Sequence, residues 1–314
     1  VLGYSSALLW HSQWAQQELR FLELARQRAQ WSLMSSEGAP AHSLGKVLEV
    51  LEGLWPHEGA EEWDAPGLVV GNPQAQITSI HLMVDVTSES VNEALEQGAD
   101  LIIAHHPLLL RGVTTVAEST YKGQVIAALI RGGCALVTAH TNADAVPSGT
   151  SARLADLLEL VDHHPLSEGV IPGHGLGRRG ILQTPRTLYE VAVALGEILP
   201  HTAVGPVVSG DPEKIITTVS LCAGAGDSLV SHPEVLSSDV YITSDLRHHV
   251  ASEASEQAKL HGGPALINIS HFAAEWLWLD QAAEQLEREL GIAITVGDLN
   301  TDPWTFQVQR VESN

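Results

Sequence analysis

From Leu44 onward the chain alternates two hydrophobic patterns. Short apolar or β-branched runs are followed by longer stretches whose apolar residues recur every three or four positions. Ile77 to Val86, Leu101 to Ala104, Ala135 to Thr138, Val240 to Thr243 and Ala265 to Ile269 predict buried strands. Helices are predicted over 121–131, 150–160, 187–198 and 272–290, and Val91, Ala94 and Leu95 mark the buried face of another, which Gly98 terminates. Strands alternating with helices predict an α/β protein with a largely parallel sheet. Residues 1 to about 33 depart from this pattern. Ala15, Leu19, Leu22, Ala29 and Leu33 share a helical face near Arg20, Arg26 and Arg28, which predicts an extra amphipathic helix joined through a polar linker to Ser43.

In open α/β sheets ligands gather beyond the carboxyl ends of the strands. Three of the predicted strands end in metal-ligand chemistry. Leu101 to Ala104 runs into His105-His106-Pro107, where the proline stops the strand. Ala135 to Thr138 runs into His140 and Asp144. Ala265 to Ile269 runs into Ser270-His271, with Ser270 placed to cap the helix that carries His271 and Glu275 one turn apart. His105, His106, Asp144, His271 and Glu275 therefore form the candidate metal set. Imidazole and carboxylate without thiolate suit Zn, Fe, Mn, Co or Ni. Five ligands exceed the three protein ligands of one catalytic zinc, and two divalent ions sharing a carboxylate, with Glu275 as the bridge, account for the surplus.

Other polar residues carry two readings each. His140 either orients a ligand or touches substrate. Asp245 and His249, after the strand Val240 to Thr243, either line the cleft and support proton transfer or belong to a solvated helix start. Asp85 either supports a ligand or caps a helix. His163-His164-Pro165 repeats the His-His-Pro string but follows a helical pattern, so a surface loop is expected there. Trp276 and Trp278 read as core or subunit contact.

Composition narrows the function classes. Sixteen histidines in 314 residues are a marked excess, while two cysteines, Cys134 and Cys222, allow neither a disulfide framework nor a thiolate cage and fit a reducing cytoplasm. The balance of 16 basic and 38 acidic residues, a formal charge of −22, opposes nucleic-acid binding. No apolar run approaches the ~20 residues of a membrane span, and the first ten residues lack the features of a secretory signal.

Several strings resemble the NIF3 family, also called the GTP cyclohydrolase 1 type 2 homologues. They are Glu62-Trp63-Asp64 with Gly67-Leu68, Asp85-Val86-Thr87, Gly98 through Leu108, His140-Thr141-Asn142 with Asp144, Gly175-Leu176-Gly177-Arg178, Thr243-Ser244-Asp245, and His271 with Glu275. Ser244 stands where that family usually has Gly, and Ala143 where Leu is common. The resemblance implies a NIF3-like α/β fold of two lobes with mixed, largely parallel sheets flanked by helices, and a metal site at strand C-terminal ends in the cleft. The lobes would span about 44–145 plus 267–314 and about 146–266, with 1–43 accessory. It also implies two divalent ions on the same five residues, a homohexamer built from dimers, and hydrolysis of a small molecule such as a nucleotide. A non-catalytic metal-handling or regulatory protein is the alternative.

Overall fold

The computed structural model describes residues 40–308, so the helix expected near the N-terminus lies outside the described residues. In chain order the principal elements are α1 (Leu44–Leu54), β1 (Gly67–Val70), β2 (Ser79–Met83), α2 (Ser88–Glu96), β3 (Leu101–Ala104), α3 (Tyr121–Gly132), β4 (Ala135–Thr138), α4 (Thr141–Ala145) and α5 (Thr150–Leu157). The chain continues through β5 (Leu160–His164), β6 (Arg178–Thr187), α6 (Leu188–Ile198), β7 (Val207–Ser209), β8 (Ile215–Ala225), β9 (Val240–Ser244), α7 (His248–His261), β10 (Ala265–Asn268), α8 (His271–Leu290) and β11 (Ala293–Val296).

One sheet has the order β11-β2-β3-β4-β1, parallel except for the antiparallel edge strand β1. Every residue of β3 and β4 is buried, as parallel strands covered on both faces must be. Leu101 pairs with Ala135 and Ala104 with Thr138, so the two strands end level and deliver their following residues to the same edge. The other sheet, β7-β10-β9-β8-β6-β5, has a parallel centre of β8, β9 and β10 with antiparallel strands on either side. There Thr243 pairs with Asn268, which places the ends of β9 and β10 side by side.

Helix α8 joins the two halves. Phe272, Ala273, Trp278, Leu279, Ala282 and Leu286 belong to the core of the first sheet, whereas Ala274 and Leu277 belong to the core of the second. A helix apolar on most sides is what a buried partition between two cores requires. Ser270 caps it by accepting from the Ala273 amide, and Gly291 ends it in a left-handed turn at φ 65°. No described helix is long and apolar enough to cross a membrane.

One expectation fails. His163-His164 is no loop but the end of strand β5, which pairs with β6 through Arg179 and His164. The helical apolar pattern stops at Leu158, and Glu159, at φ 59°, turns the chain into an edge strand that buries Leu160 and leaves Val161, Asp162 and His164 exposed. His163 Nε2 meets Asp156 there at 2.9 Å.

Leu286, fully buried three turns beyond Glu275, tests the partition role of α8 apart from any chemistry. Leu286→Ala should cost about 2–5 kcal/mol in denaturant unfolding while leaving metal content per chain unchanged.

Candidate metal centre

The two level strand ends and the first turns of α8 meet in one cleft. His105 and His106 leave β3 with their amides donating to Met83 and Val84 carbonyls, so their backbone is still held by the sheet. His271 and Glu275 sit one turn apart on α8, 2.8 Å between Nε2 and Oε1. The same Oε1 lies 3.4 Å from His105 Nε2, and Oε2 lies 2.8 Å from His106 Nε2. Asp144 reaches His105 Nε2 from the other side at 3.6 Å and accepts from the Thr150 hydroxyl. The ligand atoms of His105, His106 and His140 lie within 4.8 Å of one another, as do those of His106, His271 and Glu275. Of the five expected ligands, His105, His106 and His271 therefore converge on Glu275, while Asp144 approaches only His105 Nε2 and His140 joins His105 and His106 in the first triple.

Every imidazole in the cluster is turned the same way. His106 Nδ1 donates to Asp85 Oδ1 at 2.7 Å, His140 Nδ1 to Asp64 Oδ2 at 3.0 Å, His271 Nδ1 to Asp245 Oδ2 at 2.6 Å, and His105 Nδ1 to the Ala139 carbonyl at 2.9 Å. Each partner can only accept, so each Nδ1 carries the hydrogen and, in the neutral ring, each Nε2 lone pair points inward. Metal-binding histidines are oriented in this manner. His105 Nε2 and Glu275 Oε2 are buried without a hydrogen-bond partner, and His106 and His271 bring their Nε2 atoms to 3.2 Å. Lone pairs facing one another around a buried carboxylate repel unless protons or a cation lie between them. The donor set thus fits a divalent ion.

The electrostatics agree. Burial works against the Glu275 charge, but His106, His271 and His105 hold its carboxyl well below the usual range. Burial likewise disfavours charged imidazole, yet Glu275 together with Asp85 lifts His106 to about 10, and Glu275 together with Asp245 lifts His271 to about 11. Asp64 is kept low, against its own burial, by hydrogen bonds from His140 and Thr141. Asp245 holds a left-handed φ of 56°, a conformation Asp tolerates better than most residues and one that here accompanies its aim at His271.

The two readings of Asp85 separate cleanly. Thr87 caps α2, accepting from the Ser90 amide, and leaves the Asp85 carboxylate to His106 and to the Thr301 hydroxyl. His249 is exposed in the first turn of α7 with its ring against His248, and no described contact ties it to the cluster. Trp278 is core, packed edge-on against Trp55 and beside His105. Two residues were missed by sequence reasoning. Asp64 lies 76 positions from the histidine it orients, beyond any periodic signal. Gly224, at φ 84° near the end of β8, leaves room for the site, since a Cβ there would collide with Glu275 Oε1 and press on His271 Nε2. A glycine inside a strand pattern is a sign of close approach, and Gly224 carried that sign.

The Duf34/NIF3 (NGG1p interacting factor 3) family model matches residues 42–303. A Streptomyces coelicolor protein named GTP cyclohydrolase 1 type 2 homolog is 43% identical over 275 residues, covering 84% of this chain and 94% of its own. NIF3-like protein 1 of Drosophila melanogaster is 30% identical over 266 residues, covering 83% and 88%. Among solved structures, a hypothetical protein of Staphylococcus aureus aligns with a TM-score of 0.75 at 25% identity, covering 84% of this chain and 99% of that one.

Two predictions arise from the geometry. With folded values near 10 and 11 against an ordinary 6.5, His106 and His271 are protonated in chelator-treated protein at neutral pH. Their contribution to the stability of that form is complete below pH 6.5 and declines as pH rises toward 10, whereas that of Glu275 is lost on acidification. Zinc uptake at pH 7 should release about two protons and weaken as pH falls, which titration in buffers of different ionisation enthalpy measures; uptake without proton release contradicts the assignment. Gly224→Ala should cost about 1–3 kcal/mol through backbone strain and also reduce bound metal. Gly133→Ala, strained at φ 68° but meeting nothing within 4 Å, should lower stability and leave metal binding intact.

Proposed function

Because the chain belongs to the Duf34/NIF3 family, we propose that it holds two divalent ions and acts as a metal-dependent hydrolase on a small molecule, by nucleotide ring opening or phosphoester hydrolysis. The observation that carries this reading is the buried Glu275 carboxylate, whose Oε1 lies 2.8 Å from His271 Nε2 and 3.4 Å from His105 Nε2 while its Oε2 lies 2.8 Å from His106 Nε2, because a carboxylate offers two donor atoms where an imidazole offers one. In this reading His105, His106, Asp144, His271 and Glu275 hold Zn, Fe, Mn, Co or Ni. Glu275 would be the ligand they share, since its two oxygens face different histidines. Such ions supply Lewis acidity toward a substrate oxygen or ring carbon and lower the pKa of water.

The chain's own residues prepare that chemistry. Asp85, Asp64, Asp245 and the Ala139 carbonyl fix the imidazoles, so reorganisation at the reaction step is small. His105 and Glu275, 1% and 3% exposed, exclude bulk water from the inner wall. In this reading His140, with Nδ1 committed to Asp64, keeps Nε2 available to take a proton from the attacking group, and Asp245, bonded to His271 Nδ1 at the exposed rim, supports proton transfer toward solvent, while His249 has no described contact with the cluster to give it that part. The name carried by the Streptomyces relative supports a nucleotide ring as substrate. Trp304, Phe306 and Val308, 69%, 78% and 80% exposed, support assembly with further copies as a homo-oligomer.

A second reading, a metal-handling or regulatory protein that catalyses nothing, is favoured by the open outer rim, where the Asp245 side chain is 59% exposed and His271 29%. Elemental analysis of purified protein decides between them. About two ions per chain, kept through mild chelation, are expected for the hydrolase, and Glu275→Ala should lose both the paired loading and any turnover of GTP or a phosphoester. Full retention of both in that variant sinks the mechanism, while ions surrendered at once to a weak chelator favour the carrier.

A further inference from the structure

Trp63 is a large side chain beside the cluster that the chemistry above leaves unused. It is 62% exposed, an unusual state for an indole. Its backbone is nevertheless pinned within hydrogen-bond reach of the site. The Glu61 amide donates to the Thr141 hydroxyl, and that hydroxyl and the Thr141 amide both donate to Asp64 Oδ2. The Asp64 amide closes the turn onto the Glu61 carbonyl, with Trp63 between. The indole touches the His140 ring at 5.7 Å in a T-shaped contact of 76°, and that ring lies 5.4 Å from His105 and 5.8 Å from His106. An exposed aromatic is thus held one ring away from the ligand nitrogens by the same carboxylate that orients His140. Packing among the described residues does not explain it, because 62% of the side chain stays exposed.

We propose that Trp63 is the stacking wall of the substrate site and selects ligands that carry a planar heteroaromatic ring beside the group presented to the histidines. This rests on the reading of the cleft as a small-molecule hydrolase centre and adds the chemical feature by which it recognises its ligand. Stacking on an indole tolerates differences in ring substituents, because every such ring has a π-face. Trp63 accordingly governs whether a ring is held rather than which reaction follows.

Calorimetric titration of the metal-loaded protein with guanosine, GTP and inorganic tripolyphosphate tests this, using wild type, Trp63→Ala and Trp63→Phe. The expected result is ring-dependent binding to wild type that falls about tenfold or more in Trp63→Ala and largely returns in Trp63→Phe, with tripolyphosphate affinity and metal content unchanged. Absence of guanosine and GTP binding in wild type, or equal affinity in Trp63→Ala, overturns the proposal. So does a parallel loss of tripolyphosphate binding or of metal, which makes Trp63 a prop for His140, and so does a change of assembly mass with ring binding intact, which makes it a subunit contact. Phosphoester turnover by wild type keeps the two ideas apart: turnover without ring binding leaves the hydrolase standing and removes the stacking wall, while ring binding without turnover does the reverse.

Discussion

The Glu275 carboxylate is 3% exposed and ionised, and an unpaired charge in such a place costs several kcal/mol. Three imidazole nitrogens within 3.4 Å answer it, two at 2.8 Å. Those nitrogens in turn stay in position only because Asp85, Asp245 and the Ala139 carbonyl hold the far side of each ring. The chain of dependence runs outward from one carboxylate, through the histidines, to groups on three separate segments. Removing an outer partner frees a ring to rotate, and a rotated ring leaves Glu275 uncompensated. This explains why residues with no reach to a substrate, such as Thr301 against Asp85, sit within the same network.

Helix α8 gives that carboxylate its address. Its first turn lies where the carboxyl ends of both sheets meet, and its remaining turns are buried in both cores. A shift of one half relative to the other would move His271 and Glu275 against His105 and His106. The site therefore reports on the docking of the two halves as well as on local structure, and apolar packing along α8 supplies the rigidity that the polar cluster lacks by itself. Gly224 shows the tolerance involved, for a single methyl group on β8 has no room beside Glu275.

The acidic composition also acquires a local meaning. A formal charge of −22 reads as a solvated acidic face, but Asp64, Asp85 and Asp245 are spent on imidazoles, and the Asp64 side chain is fully buried. Negative charge behind each ring raises its basicity as a ligand, and Asp85 and Asp245, with Glu275, favour the protonated form of His106 and His271. The same carboxylates thus serve a metal-loaded state and a proton-loaded one, which makes the centre sensitive to pH by construction.

The strands that lead into the cluster were legible in sequence because burial on both faces of a parallel sheet demands continuous apolar runs, and the candidate ligands follow those runs. His105 and His106 could be placed together from position, and His271 with Glu275 from helical spacing behind a serine cap, whereas Asp144, named the same way, reaches only His105. Family membership was legible in the same strings. Tertiary structure alone decided which aspartate faces which imidazole, that His140 joins His105 and His106, that His163-His164 ends an edge strand, and that Gly224 must lack a side chain. The reason is physical. Periodicity records which face of an element avoids water, and that is a local property, whereas an imidazole's rotation is fixed by an acceptor 21 residues away for His106, 26 for His271 and 76 for His140. Those separations close only after two sheets and one shared helix have packed.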